Sequence, residues 1–444
     1  MSIVVVGAGL AGLAAARRLQ AAGRSVVVVE ARPRVGGRVC GGTLAGHPVE
    51  LGGAWLGEGH DRMYGLVAEL GLETFPTYNE DSMLVQLGGK RSRMSSRRGA
   101  VPRLNPFELA DLAQGLLRFN RLARRVGVDR PWAARGAEEL DGQTFETWIR
   151  RTLRTPAVRA YFRIATEAVL STDSADVSLL HMLFYAQANT DLETLLATEG
   201  GAQKDRVIGG TIRVAERLAE GLDVRLGEPV GTVRHSAGEV EVTTRSGARF
   251  EGEHVIVAIP PTLAGRLEYD PVLPGWRDQL TQKLPAGSVV KVLCAYATPF
   301  WRANGLNGQV ASDQGPAKVV FDVSPPGAEV GILLAFVEGG DARRWTRLGD
   351  ADRRRLVLDR LVDYFGAEAR TPMDYLEQDW TAEEFSRGCY SAHFAPGVWT
   401  SYGEVLRPPI GRVHWAGTEY ATRWNGYMEG AVLSGEAAAD EILA

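Results

Sequence analysis

The segment from Ile3 to Glu30 constrains the fold more than any other. Ile3-Val4-Val5-Val6 is a short apolar run rich in β-branched side chains, which predicts a buried strand. Gly7-Ala8-Gly9-Leu10-Ala11-Gly12 follows at once, and residues 13–22, rich in Ala, Leu and Arg, predict a helix stopped by Gly23. Residues 25–29 predict a second strand with Glu30 at its end. Strand, G-x-G-x-x-G, helix, strand and acid stand in the order a dinucleotide site requires. Gly7 permits the tight turn, Gly9 lets backbone approach a pyrophosphate, and Gly12 lets helix and strand pack closely. Beside Ala11 the helix start offers free N–H groups and a positive dipole end. Glu30 lies eighteen residues after Gly12, near the offset of about 20 expected for an acid that accepts a ribose hydroxyl.

Length and composition narrow the rest. A chain of 444 residues predicts two or three domains. A net charge of -4 gives no reason to expect nucleic acid or an anionic membrane as partner. No run of 18 apolar residues appears, so no membrane-spanning segment is expected. The N-terminal run reads as a core strand, leaving no room for a signal peptide, and the chain stops after a helix without a hydrophobic tail. Cys40, Cys294 and Cys389 are too far apart for a disulfide framework or a metal cluster, so the expected location is a reducing cytoplasm and no metal is expected.

Further along, Ala31-Arg32 and Gly36-Gly37-Arg38 suggest more close backbone approach and charge-assisted contacts. Gly52-Gly53-Ala54-Trp55 is a second glycine-bearing turn. Residues 90–103, basic and rich in Ser and Gly, read as a solvated loop. Residues 106–126, 145–153, 156–170 and 178–188 read as helices, with Phe162, Phe184 and Tyr185 assigned to their core. Strands are predicted over 224–226, 230–235 (starting at Val230), 240–244 and 255–259, and a helix over 212–220. Lys291 stands inside the apolar run 287–296. Only five lysines occur among fifty basic residues, which makes this one conspicuous. A buried ammonium is costly, so Lys291 either lies on the open face of an amphipathic strand or serves chemistry. Strands over 319–321, 330–337 and 373–380 and a helix over 350–365 follow. The end of the chain carries Ala416-Gly417-Thr418-Glu419 and Trp424-Asn425-Gly426-Tyr427-Met428, then a helix to Leu443. There is no second G-x-G-x-x-G, which argues against a separate nicotinamide site.

Over nearly its full length the chain resembles the flavin-containing monoamine oxidase family. The resemblance rests on Gly7 to Gly12, Glu30, Gly36-Gly37-Arg38, Gly52-Gly53, Gly287 to Lys291, Gly388-Cys389-Tyr390 and the two C-terminal blocks. It implies an α/β, two-domain fold: a Rossmann-like FAD-binding domain (1–78, 207–283 and 383–444) interleaved with a substrate domain of mixed sheet (284–382) and helical insertion (79–206). It also implies FAD as cofactor. Tyr390 and Tyr427 correspond to tyrosines that flank the substrate amine, Lys291 to a lysine near the flavin, and Trp380 to a tryptophan stacked near the ring. Cys389 matches the cysteine that, in the animal enzymes, bonds to the flavin, and Gln203 looks like a substrate-cavity glutamine. Bacterial relatives that bind FAD without that bond leave covalent attachment open. A homodimer is a family expectation.

The function implied is oxidation of a primary amine to an imine and then an aldehyde, with O2 reduced to H2O2. Val319, Val320 and Phe321 fall on the family's substrate-cavity wall and put no carboxylate there, which favours an apolar or aromatic amine over a diamine. Arg163 and Glu167 keep an L-amino-acid oxidase and a polyamine oxidase open as alternatives. A flavin-binding protein without turnover is a third.

Overall fold

The computed structural model describes residues 2–444. Its central layer is a five-stranded parallel sheet in the order Asp223–Arg225, Val26–Val29, Ile3–Val6, His254–Val257, Val413–Trp415. Ile3–Val6 is hydrogen-bonded on both sides, with Val4 opposite Val27 and Val255. Val4 and Val6 join one hydrophobic core, Ile3 and Val5 another. Burial on both faces explains why the run is apolar without alternation. The sheet closes only when both ends of the chain and its middle meet.

The first helix spans Leu10–Ala21, three residues ahead of the predicted start, so Gly12 sits in its first turn. A Cβ on Gly12 would stand 2.0 Å from the Gly7 carbonyl oxygen, and only hydrogen fits there. The C-terminal helix Met428–Leu443 lies against the first one. Its Gly435 faces the Ala11 carbonyl oxygen, 2.0 Å from where a Cβ would be.

A seven-stranded sheet forms the second layer, in the order Asp374–Asp379, Val289–Tyr296, Gly331–Glu338, Val319–Asp322, Leu306–Ser312, Ser82–Leu87, Lys90–Met94. Lys90–Met94, read from sequence as part of a solvated loop, is an edge strand antiparallel to Ser82–Leu87. Its Lys and Arg side chains stay exposed, and charge on an edge strand blocks further pairing. The Val289–Tyr296 strand lies between two neighbours and all eight of its residues are buried, which removes the open-face reading of Lys291. A four-stranded sheet (Arg249–Gly252, Val240–Thr244, Val230–His235, Glu268–Asp270) and a small three-stranded one (Trp55–Leu56, Asp205–Val207, Thr74–Pro76) complete the β structure near the site.

Helix Pro106–Ala123 starts at a capping box in which Asn105 and Glu108 bond reciprocally, with proline at the first helical position. It buries Leu112 and Phe119 but leaves Leu117 69% exposed, so its apolar stripe is narrower than the composition predicts. Phe162, Phe184 and Tyr185 are core residues as read, and Tyr185 also reaches the cavity described below.

Gly435→Ala forces a backbone shift between two packed helices, a cost of roughly 1–3 kcal/mol. A clear drop in melting temperature is expected. Gly127→Ala, where an added Cβ meets nothing within 4 Å, is the control expected to stay close to wild type.

Candidate active site

A cavity of about 800 Å³ opens at the C-terminal ends of the parallel strands and continues across the face of the seven-stranded sheet. Its first half is backbone-rich. Gly7 has φ +104°, and a Cβ there would meet the Ala258 carbonyl oxygen at 2.8 Å. Gly9 begins the first helix with no side-chain cap, so the dipole end and first-turn N–H groups are left for anionic oxygens. Gly37 lies opposite, with a hypothetical Cβ 3.2 Å from Gly9 Cα, so two turns meet through backbone alone. Glu30 is 4% exposed, and its carboxylate accepts the Ala8 N–H at 2.7 Å and the Arg32 N–H at 2.9 Å. It thereby locks the glycine turn while lining the cavity. Arg32 in turn donates to Glu383 and to Ser386 Oγ at 3.0 and 2.9 Å. Ala11, Ala31 and Val230 line the same half. Gly12 does not: its place is at the helix–strand contact.

The second half carries the reactive side chains. Lys291 is 3% exposed, and its Nζ donates to the Gly52 carbonyl at 2.5 Å and reaches the Glu50 carbonyl at 3.4 Å. Trp55 and Phe336 lie under it, ring centroids 5.6 and 5.4 Å away. Burial lowers its pKa to about 8 although Glu50 pulls the other way. Glu50 is held by a buried pair with Arg206, 2.9 Å, and by the Thr211 N–H at 3.0 Å. Two carbonyls of one turn thus stand in for the counter-ion Lys291 lacks.

Arg38 donates to both carboxylate oxygens of Glu419, at 2.5 and 3.0 Å, and to the Tyr390 carbonyl at 2.9 Å. Burial alone would push the Glu419 carboxyl up, but Arg38 holds it below the usual range. Cys389 lines the cavity, and burial pushes its thiol up to about 11 against the pull of Arg38. The Tyr390 hydroxyl donates to Glu338 Oε1 at 2.8 Å. Tyr427 is pinned through its carbonyl by Thr418 Oγ1 at 2.8 Å, and its ring lies among Trp424, His60 and Tyr185, at 5.2, 5.5 and 6.3 Å between centroids. Gly53, Ala54, Gly417, Gly426 and Met428 also line this half, and Gly426 (φ +88°) has room for no Cβ beside the Tyr185 hydroxyl.

Trp380 is the exception among the nominated residues of this half. It is buried but does not reach the cavity; its Nε1 donates to the Leu51 carbonyl at 2.8 Å, holding the 50–53 turn from behind. Outward, the walls become apolar: Val319, Phe321, Ile164 and Leu196. Gln203 lines this stretch, with Nε2 donating to the Leu195 carbonyl at 3.1 Å and Oε1 buried without a partner. Trp55 Nε1 is likewise buried and unpartnered.

Arg163 and Glu167 do not line the cavity: Arg163 donates to Glu146 at 2.5 Å and Glu167 takes Lys318 at 2.6 Å. Sequence reasoning passed over Glu193, a carboxylate in the outer wall, and Glu338 behind Tyr390. Glu338 had a signal: like Glu30 it is an acid closing an apolar strand. Glu193 stands in a short helix of mixed composition and had none.

The two halves fit the two ends of FAD. Glycine backbone, uncapped helix and Glu30 suit the pyrophosphate and ribose, while the Gly53, Cys389 and Lys291 walls suit a flat ring. Comparison with known proteins agrees. The family described as "Flavin containing amine oxidoreductase" matches residues 10–443. The chain is 43% identical over 447 residues to a putative flavin-containing monoamine oxidase, AofH, of Mycobacterium tuberculosis, covering 100% of this chain and 97% of that one. Putrescine oxidase bound to putrescine superposes with a TM-score of 0.96 at 33% identity, covering 100% and 98% of the two chains. Cyclohexylamine oxidase from Brevibacterium oxydans gives 0.94 at 32%, covering 100% and 99%. The chain belongs to the family of flavin-containing amine oxidoreductases, FAD-dependent enzymes that oxidise amines.

Proposed function

We propose that this enzyme oxidises a primary amine with an apolar or aromatic side chain, R–CH2–NH2 + O2 + H2O giving R–CHO, NH3 and H2O2. The observation that carries the reading is the meeting of Lys291, Cys389, Tyr390 and Tyr427 on one cavity whose outer walls are apolar. FAD, held along these walls, would supply the two-electron redox chemistry that links amine oxidation to O2 reduction. The protein's part is orientation. Tyr390 and Tyr427 present aromatic walls that hold the amine and exclude water. Gln203 Oε1, unpartnered, accepts a hydrogen bond from an incoming N–H. Lys291 Nζ, near neutral pH, can hold or release a proton beside the 50–52 carbonyls. Cys389 is the residue we propose for covalent attachment of FAD.

A second reading has its own observation. Glu193 lines the cavity, where burial and the neighbouring Asp191 raise its pKa, and as a carboxylate it favours an amine with a second cationic group. The L-amino-acid oxidase reading is weakened, because Arg163 is spent on Glu146 and the cavity-lining Arg97 on Glu199. The three free cysteines favour a reducing, cytoplasmic setting. Among the described residues no helix is long and apolar enough to cross a membrane.

A peroxide-coupled screen over aliphatic, aromatic, diamine and amino-acid substrates decides between these readings. Benzylamine-like amines are expected to show the highest kcat/KM, with Tyr427→Leu lowering it at least tenfold and leaving FAD content intact, about 1.4 kcal/mol of barrier. A diamine turned over fastest, and slowed by Glu193→Gln, would reverse the assignment. For the cofactor link, acid precipitation is expected to carry the yellow colour down with wild type and to release it from Cys389→Ser. All colour in the wild-type supernatant would sink covalent attachment.

Lys291 makes a prediction without any substrate. Its pKa falls from 10.5 to about 8 on folding, so between those values the unfolded chain binds more protons and stability rises with pH. In thermal melts of the cofactor-free protein, wild type is expected to gain stability relative to Lys291→Met from about pH 8 to 10.5. A constant difference would place the charge in water.

A further inference from the structure

Glu338 ends the Gly331–Glu338 strand and lies behind the cavity wall rather than in it. It is 4% exposed. One carboxylate oxygen accepts the Tyr390 hydroxyl at 2.8 Å; the other is buried without a partner. The nearby cation is spent elsewhere, since Lys318 bridges Glu167 at 2.6 Å and Asp341 at 3.0 Å. The charged and titratable groups facing Glu338 are Tyr390, Glu167 from the Pro156–Leu170 helix and Lys318 from the loop before Val319, with Asp341 of the Gly339–Trp345 helix bound to Lys318; Ser171 adds a hydroxyl.

A carboxyl in that position costs stability that an apolar residue would not. The strand does not need it: the other seven residues, Gly331 to Val337, are apolar. What it contacts is the one polar atom of a ring in the active cavity. Tyr390 is thus gripped at two points, its carbonyl by Arg38 and its hydroxyl by Glu338. Phe336, two residues earlier on the same strand, stands edge-on to the ring at 6.1 Å and limits its swing.

We infer that Glu338 is a positioning residue for amine oxidation: its carboxyl group accepts the Tyr390 hydroxyl and so fixes the angle of the ring that walls the amine slot. This rests on the reading of Tyr390 as a wall of that slot. Burial pushes the Glu338 carboxyl up to about 8, with Tyr390 pulling down, Glu167 opposing ionisation and Lys318 favouring it. A hydrogen bond to a charged acceptor is roughly twice as strong as a neutral one, so the grip tightens as Glu338 ionises.

The test is a double-mutant cycle on the FAD-loaded enzyme, with FAD content checked by absorbance. Glu338→Leu is expected to lower kcat/KM about tenfold alone, and less than about twofold in the Tyr390→Phe background, where the bond is already gone. Equal losses in both backgrounds overturn the inference, because Glu338 would then act through the fold. Glu338→Gln keeps an acceptor but cannot ionise. The ratio of wild-type to Glu338→Gln kcat/KM is expected to rise between about pH 7 and 9, since the amine and Lys291 titrate alike in both proteins. A flat ratio overturns the charge-dependent grip, and this ratio decides alone where Glu338→Leu fails to fold. Tyr390→Phe with unchanged turnover overturns the inference, because the ring then needs no bond to Glu338, whereas Tyr390→Leu with unchanged turnover refutes the slot reading itself.

Discussion

The site depends on one buried ion pair. Arg38, just after the opening glycine turn, grips Glu419 with both arms and the Tyr390 carbonyl with one. Two stretches that lie 352 and 381 residues further along the chain meet at one guanidinium. Glu419 is fully buried and also accepts the Ala392 N–H at 3.1 Å, so breaking the pair would strand a carboxylate among apolar side chains. Pairs of this kind add little net stability but penalise wrong arrangements heavily. Here the penalty enforces the register between the turn at Gly36 to Arg38 and the two C-terminal segments that carry Cys389, Tyr390 and Tyr427. The Arg206–Glu50 pair does the same for the 50–53 turn that receives Lys291.

Around these fixed points the cavity leaves polar atoms unspent. Trp55 Nε1, Gln203 Oε1 and one oxygen of Glu338 are buried and unpartnered. Each such group costs about 1–3 kcal/mol. Trp55 and Gln203 line the cavity, where a ligand can partner them, whereas Glu338 lies behind it.

Much of the fold was legible in sequence where local chemistry and tertiary context agree. Ile3 to Glu30 could be read because its glycine positions each answer a backbone contact: Gly7 against Ala258, Gly12 against Gly7. The strand 230–235 and helices 156–170 and 350–365 came out to the residue, since their apolar periodicity is what the packing uses. Lys90–Met94 was missed because an edge strand needs only backbone partners, and its charged side chains carry a loop's signature. At the site, Lys291 stood out as a charge in an apolar run. Tyr185 did not: its helix is buried on nearly every side, so nothing in its pattern separates a cavity wall from a core. Trp380 was assigned near the ring by resemblance; in the structure it does not line the cavity, and its indole N–H donates to the Leu51 carbonyl.

Lys291 and Glu338 together explain why the site is held by so many backbone and side-chain clamps. Burial lowers one pKa and raises the other, and both arrive near 8. For Glu338 the folded chain keeps a proton that the unfolded chain has released from pH 4.5 upward, so its contribution to stability falls until about pH 8. For Lys291 the folded chain is short of a proton above about pH 8, so its contribution recovers only beyond that. The combined contribution is lowest where both groups exchange protons. Stability is lost in the pH range where a neutral amine can enter and two buried groups can adjust their charge. A site tuned for proton exchange rather than for packing must be held in shape by something else, and the buried Arg38–Glu419 and Arg206–Glu50 pairs supply the rigidity.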